Sequence, residues 1–343
     1  MKTVTLGSTG ITVVQNAFGA LPVQRTDVDS AIKLIRRAYE GGMRFFDTAC
    51  AYSDSEYKLG LAFEGIDRST YYLATKTMAK NVEDFWKDLN ESLKLLKTDY
   101  IDIYQFHCVN QMYKPGDGTG MYEAMLEAKE KGMIRHIGIT THKIGVAEEV
   151  AVSGLYETLQ YPFSYLSSDK EIAMVNTCKE NNVGYIAMKG LAGGIINNSK
   201  AAFAFMTQFD NVLPIWGIQR EHELDEWLAF MDNPAVMDPE ITAFIEAEKQ
   251  ELSGDFCRSC GYCMPCPQGI IINQCARISQ MIRRAPSASW TNEYWQKEMA
   301  KIDTCIECYA CASKCPYGLD TPKLLKKNLE DFNNIISGKT KIN

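Results

Sequence analysis

Short apolar runs, rich in β-branched and aromatic residues, alternate with longer amphipathic stretches over the first two thirds of the chain. The runs at 17–21, 44–48, 71–75, 100–106, 134–139, 157–161, 183–188 and 212–215 read as strands buried on both faces. A first helix, capped by Asp27 or Asp29, carries Ile32, Leu34, Ile35 and Ala38 on one face and stops at Gly41-Gly42. Further helices are predicted at 55–64, 82–96, 121–131, 144–153, 169–181, 199–208 and 221–231. Eight strand–helix units in about 230 residues predict an α/β protein built as a (β/α)8 TIM barrel. The alternative is an open doubly wound sheet, but no Gly-rich dinucleotide fingerprint follows an early strand. Ahead of the barrel, Val4 to Leu6 and Ile11 to Val14 flank Gly7-Ser8-Thr9-Gly10, the pattern of a hairpin.

The alternation ends near residue 235. The predicted division is 1–235 for the barrel, 236–255 for a Pro-started helical connector, 256–321 for a small α-helical domain, and 322–343 for a last helix and tail. Helical stretches are predicted around 273–284, 291–302 and 322–335, with 337–343 polar and frayed. Composition adds little: 46% apolar and 23% charged residues are ordinary for a globular protein. A net charge of −7 argues against a nucleic-acid surface. No apolar run approaches the ~18 residues of a membrane span, and the N-terminus lacks a signal-peptide pattern. A cytoplasmic protein with no membrane or nucleic-acid partner is expected.

Three consecutive strands end on polar side chains. The first runs into Asp47, with Tyr52 one turn beyond; the next two end on Lys76 and His107. The C-terminal strand ends are where a parallel barrel builds its active site. A strand-end Asp is often a helix cap, a lone Lys or Tyr in a turn is usually solvated, and a lone His is usually a core residue. All four at adjacent strand ends make a single constellation. An ammonium beside a tyrosine is expected to lower the phenol's pKa, a carboxylate to orient the ammonium, and a neutral imidazole to align a carbonyl oxygen. Together they suit hydride delivery to carbon with protonation at oxygen. Cys50 and Cys108 neighbour the set and read as small packing residues. Phe163, Tyr165 and Trp216 read equally as pocket walls or as core.

Twelve cysteines is a high count, and eight of them fall into two runs near the C-terminus. In a reducing compartment such runs point to metal ligation rather than disulfides. Cys305-x2-Cys308-x2-Cys311-x3-Cys315-Pro316 has the spacing of a [4Fe–4S] run whose fourth cysteine serves the other cluster. Cys257-x2-Cys260-x2-Cys263-x2-Cys266-Pro267 is one residue shorter before its last cysteine. Crossed ligation gives Cys257, Cys260, Cys263 with Cys315, and Cys305, Cys308, Cys311 with Cys266. Two structural zinc sites are the alternative use of eight thiolates.

With these residues in view, the chain resembles the aldo-keto reductase superfamily, in its iron–sulfur branch with a C-terminal two-cluster ferredoxin-like domain. The resemblance rests on Phe46-Asp47-Thr48-Ala49 with Tyr52 and Ser55-Glu56, Leu73-Ala74-Thr75-Lys76, Asp102 to His107, Ile137-Gly138-Ile139-Thr140, and Lys189 to Gly194. It implies Tyr52 as proton donor, Lys76 and Asp47 as its tuning pair and His107 as the residue orienting the substrate. It also implies NADPH (or NADH) across the mouth. Thr140 and Gln160 would lie at the carboxamide and Met188 against the nicotinamide ring. Gly190, Leu191 and Gly193 would lie at the diphosphate, and Gly217, Gln219 and Arg220 near the adenosine phosphate. Function is then expected to be an NAD(P)H-dependent oxidoreductase of a small carbonyl or alcohol substrate. Its two [4Fe–4S] clusters would be structural or would relay electrons, with an electron-transfer partner left open. The alternative is an iron–sulfur electron-transfer protein whose barrel binds a nucleotide or flavin and a reducible substrate.

Overall fold

The structure is a computed structural model describing residues 1–252, 256–284 and 287–341. Strands β1 (Thr3–Thr5) and β2 (Thr12–Val14) form an antiparallel hairpin. Strands β3 (Ala17–Gly19), β4 (Phe45–Asp47), β5 (Tyr72–Thr77), β6 (Ile101–Phe106), β7 (Ile134–Thr140), β8 (Thr158–Pro162), β9 (Gly184–Met188) and β10 (Val212–Gly217) close into a parallel barrel in chain order. Between and after them come α1 (Val28–Glu40), α2 (Ser55–Ala62), α3 (Val82–Leu96), α4 (Met121–Glu130), α5 (Ile144–Ser153), α6 (Asp169–Glu180), α7 (Ser199–Met206) and α8 (Glu221–Asp232). Eight strands and eight helices thus occupy the positions that the hydrophobic pattern predicts. Asp27, not Asp29, caps α1, accepting from Ser30 N at 2.9 Å.

The barrel interior follows from the two-residue period of each strand. Ala17, Phe45, Ala74, Ile103, Ile186 and Leu213 form an apolar layer, joined by Val4, Leu6, Ile11 and Val13 of the hairpin. Above this layer the inward positions turn polar, which keeps the polar groups at the strands' C-terminal ends.

The remaining helices are α9 (Pro239–Glu251), α10 (Ile272–Cys275), α11 (Ile278–Arg284), α12 (Ala288–Thr291), α13 (Glu293–Ala300), α14 (Ala310–Ser313) and α15 (Thr321–Ile336). The single helix expected at 273–284 is broken at Ala276-Arg277, and the one expected at 291–302 is split at Asn292, whose side chain caps α13. Of the connector, Ser253, Gly254 and Asp255 lie outside the described residues, as do Ile342 and Asn343 of the tail. The chain divides into two units: Met1–Gly190 with Ser199–Ile241, and Leu191–Asn198 with Thr242–Asn343. The segment Leu191–Asn198, inside the 1–235 expected for the barrel, therefore groups with the second unit. That unit has its own core, in which Ile270, Ile278, Ile282, Met299, Leu325 and Phe332 are buried.

Candidate active site and cysteine cavities

Asp47 ends β4 and Lys76 lies one residue before the end of β5, both facing the barrel interior. Lys76 Nζ donates to Asp47 Oδ1 and Oδ2 at 2.7 and 2.8 Å and to Thr48 O at 2.5 Å. An ammonium has three donors, so all three are taken. Burial pushes the Asp47 carboxyl above its usual range, and the Lys76 charge and its hydrogen bonds pull against this. Lys76 Nζ stands 5.3 Å from the centre of the Tyr52 ring, over its face. The Tyr52 ring meets His107 edge-on at 5.6 Å. The structure thus brings Asp47, Tyr52, Lys76 and His107 together.

The electrostatics differ from the expectation in one respect. The Tyr52 phenol lies well above its ordinary value, raised by burial and then by the Asp47 charge. Lys76 does not lower it, because its donors are spent on Asp47 and Thr48 and it meets the ring, not the hydroxyl. His107 is driven down to about 3, first by burial and then by Lys76. The imidazole is therefore neutral. Its Nδ1 is enclosed with no partner. An unpaired N–H is the costlier orphan, so the proton belongs on Nε2, leaving Nε2–H as the donor for a substrate oxygen.

The sequence reading singles out Gln160 of this layer but not Gln105 or His142. Gln105 Nε2 donates to Gln160 Oε1 at 2.9 Å, and Gln160 Nε2 approaches Asp47 Oδ1 at 3.5 Å. Gly138 makes the crossing possible: a Cβ there would stand 2.8 Å from Gln105 Cγ and 2.4 Å from Thr158 Oγ1. His142 is buried beside Cys108, with Nδ1 3.9 Å from Sγ, and burial holds it at about 3 as well. The signal for Gln105 was a lone polar residue in phase with the inward positions of an apolar strand. For His142 it was the rule that had found His107, a histidine just past a strand end.

The residues expected around a nucleotide are spread along the later strand ends. Thr140 is buried and its Oγ1 accepts from Cys108 N at 2.7 Å; Gln160 is buried against Gln105 and Asp47. Met188 ends β9, half-buried. Gly190 is required by the core, since a Cβ would meet Trp216 Cζ3 at 2.5 Å. Leu191 and Gly193 belong to the loop that groups with the second unit. Gly217 and Arg220 are exposed and Gln219 half-buried. Glu223 Oε2 accepts from both Gln219 N and Arg220 N, at 2.9 and 3.1 Å, so a carboxylate already sits on these amides. Phe163, Tyr165 and Trp216 are core residues. Burial pushes the Cys50 thiol up to about 12.

In the second unit the two cysteine runs share one backbone device. Left-handed residues stand two and four positions after the first cysteine of each run: Ser259 and Gly261 after Cys257, Glu307 and Tyr309 after Cys305. Each pair turns the chain so that successive thiols face a common space. One pocket is lined by Cys257, Cys260, Cys263 and Cys315. Another is lined by Cys266, Cys305, Cys308 and Cys311, with Cys263 shared. These are the crossed sets. Among the described residues no group of three His, Cys, Asp or Glu stands close enough to hold a single metal ion. Soft thiolate donors at this spacing, four to a set, fit a polynuclear iron–sulfur cluster better than mononuclear zinc.

Residues 15–210 match the model of the aldo/keto reductase family, and residues 256–320 match that of a 4Fe-4S dicluster domain. The chain is 37% identical over 140 residues to methylglyoxal reductase DkgB of Salmonella typhi, covering 39% of this chain and 50% of that protein. It is 30% identical over 193 residues to aldo-keto reductase YhdN of Bacillus subtilis, covering 52% of this chain and 57% of that one. The chain thus spans about half the length of the curated relatives it matches. A holo-form aldo-keto reductase of Bacillus halodurans has the same fold, with a TM-score of 0.64 at 22% identity over 72% of this chain and 96% of that chain.

Proposed function

The chain belongs to the aldo/keto reductase family, and from that premise we propose that it is a cytoplasmic NAD(P)H-dependent oxidoreductase of small aldehydes and ketones. The observation that carries this is the Asp47–Lys76 pair beneath Tyr52, with a neutral His107 edge-on to the ring. A bound nicotinamide nucleotide supplies the hydride to the carbonyl carbon. His107 Nε2–H orients the carbonyl oxygen, and Tyr52 Oη gives it a proton. Lys76 and Asp47 support the ring: the ammonium lies over its face, and Asp47 keeps the ammonium in place. Reversal oxidises an alcohol through the same groups. That the name of a relative is methylglyoxal reductase favours small α-oxoaldehydes among the substrates.

The test is direct. With nucleotide deuterated at the nicotinamide C4 and a panel that includes methylglyoxal, deuterium is expected on the carbinol carbon, one per nucleotide oxidised. No transfer to any member of the panel, with clusters that still accept electrons from dithionite, would replace this reading by the electron-relay one.

The relay reading has one observation in its favour. Cys308 is exposed, and Ile306 and Tyr309 beside it are exposed hydrophobics, 62% and 50% accessible. Two [4Fe–4S] clusters supply one-electron transfer, and the set with Cys308 lies where a partner protein could reach it. The thiols themselves favour the reducing cytoplasm.

Arg220 favours a 2′-phosphate and so NADPH, whereas Glu223 occupies the amides of Gln219 and Arg220 that such a phosphate would use and so favours NADH. Removing that charge in Glu223→Gln is expected to lower the KM for NADPH about fivefold, as suits a surface charge worth about 1 kcal/mol. The KM for NADH stays as it was. An unchanged ratio of the two KM values would show that the adenosine end binds elsewhere.

A further inference from the structure

Arg277 is an unusual charge. It is 2% exposed, and among the described residues no carboxylate pairs with it. Arg284, farther along the same segment, shows the ordinary solution: ion pairs with Glu248 at 2.6 Å and Glu251 at 2.9 Å. Arg277 Nη2 donates to Gly193 O at 2.6 Å and lies 2.7 Å from Met281 Sδ, while its Nε is enclosed with no partner. A buried guanidinium with donors to spare is strongly disfavoured unless an anion stands near it.

Two anion positions flank it, both within the second unit. Ala276, its chain neighbour, lines the cavity of Cys257, Cys260, Cys263 and Cys315, and the Arg277 charge acts on Cys257. On the other side is the loop Leu191–Asn198. Ala192, Gly193 and Gly194 have φ of 48°, 70° and 92°, and Gly194 N and Ile196 N both donate to Leu191 O, at 2.8 and 3.2 Å, which folds the loop tightly on itself. A Cβ on Gly193 would stand 2.7 Å from Arg277 Nη1, so glycine is what lets the guanidinium rest on the loop.

We propose that Arg277 is a positioning residue shared by these two anions. It holds the Leu191–Asn198 loop in the shape that receives the nucleotide diphosphate, and its charge stabilises the reduced form of the first cluster, so that nucleotide binding and cluster reduction are linked. This rests on the reading above that the loop takes the diphosphate and that the Cys257 set holds a cluster. The sign follows from one cation serving two anions. Reduction adds one electron to the cluster, from 2+ to 1+, supplied by a low-potential one-electron donor; no proton or bond changes hands. The added negative charge competes with the diphosphate for Arg277. Nucleotide therefore binds the reduced protein more weakly, and by reciprocity lowers the potential of the first cluster.

The experiment uses the full, cluster-loaded chain under anaerobic conditions and ADP-ribose, which carries the diphosphate but no nicotinamide. Its Kd is measured with clusters oxidised and after dithionite reduction, and the EPR midpoint with and without it. About tenfold weaker binding to the reduced protein is expected, equivalent to a midpoint lowered by about 59 mV for one electron. Arg277→Met abolishes the difference and lowers the midpoint of the free protein. Arg277→Lys restores the midpoint but not the affinity, since an ammonium keeps the charge and loses the fork. Gly193→Ala shifts the midpoint from the loop side without touching a cysteine. Equal ADP-ribose affinity in both oxidation states overturns the linkage alone, whereas no binding in either state overturns the nucleotide reading with it. The wild-type measurement stands even if Arg277→Met fails to load its clusters.

Discussion

Tyr52→Phe lowers kcat for carbonyl reduction about 10²- to 10⁴-fold, the span of a lost general acid, and leaves nucleotide affinity unchanged. The substitution removes one oxygen and keeps the ring. The ring is what Lys76 covers and what His107 meets edge-on, so the packing of the site is preserved. The phenol is held well above its ordinary value and is protonated throughout the working range. It thus acts as a neutral acid. The loss should therefore be as large at acidic as at alkaline pH. Stopped-flow transfer of deuterium from labelled nucleotide, with a fluorescence titration of nucleotide binding, checks both halves. A kcat within about threefold of wild type would remove Tyr52 from the chemistry, since even a modest general acid contributes more than this.

Much of this site was legible because it lies where periodicity is strongest. Asp47, Lys76 and His107 each follow an uninterrupted apolar run, and such a run in a parallel barrel can end only at the catalytic face. The crossed cysteine sets were legible for a different reason: their spacing alone constrains which thiols can converge, and the left-handed pairs at Ser259/Gly261 and Glu307/Tyr309 repeat that spacing in the backbone. What stayed hidden depends on contacts far apart in sequence. The layer of Gln105, Gln160 and Asp47 needs the gap at Gly138, and no local pattern announces a missing Cβ. The tyrosine's raised pKa comes from its burial and the Asp47 charge, and Lys76 turns out to spend its donors on Asp47 and Thr48. Nothing local distinguishes Glu223 from Glu221 and Glu226 beside it, yet it caps the amides next to the expected adenosine phosphate. Arg277 sits in a segment read as one continuous helix and gave no signal at all. Its meaning depends on the loop Leu191–Asn198 belonging to the second unit.

Lys76→Met destabilises the protein by about 3–5 kcal/mol at neutral pH, the usual cost of leaving one member of a buried ion pair unpaired. Methionine nearly matches the lysine stem in length, so the cavity term is small. The side chains of Lys76 and Asp47 are 1% and 3% exposed, and without the ammonium the carboxylate keeps only a long approach from Gln160 Nε2, at 3.5 Å, among the described residues. Burial already raises the Asp47 pKa, with Lys76 as the main opposing influence; deleting Lys76 leaves burial unopposed. The folded protein then binds a proton on Asp47 more tightly than the unfolded chain does. By linkage, stability of the variant rises as pH falls through that raised pKa and is lost as pH rises above the unfolded value. Adding Asp47→Asn removes the charge and recovers most of the loss, making it independent of pH. Anaerobic urea unfolding of the wild type, the single variant and the double variant, at about pH 5.5 and about pH 8 on either side of neutrality, reads all of this. A single variant as stable as wild type at the higher pH would mean that Asp47 is protonated in the native protein. The phenolate left by proton transfer would then face a lone ammonium instead of a neutralised pair, and the site would favour alcohol oxidation more than the ion pair allows.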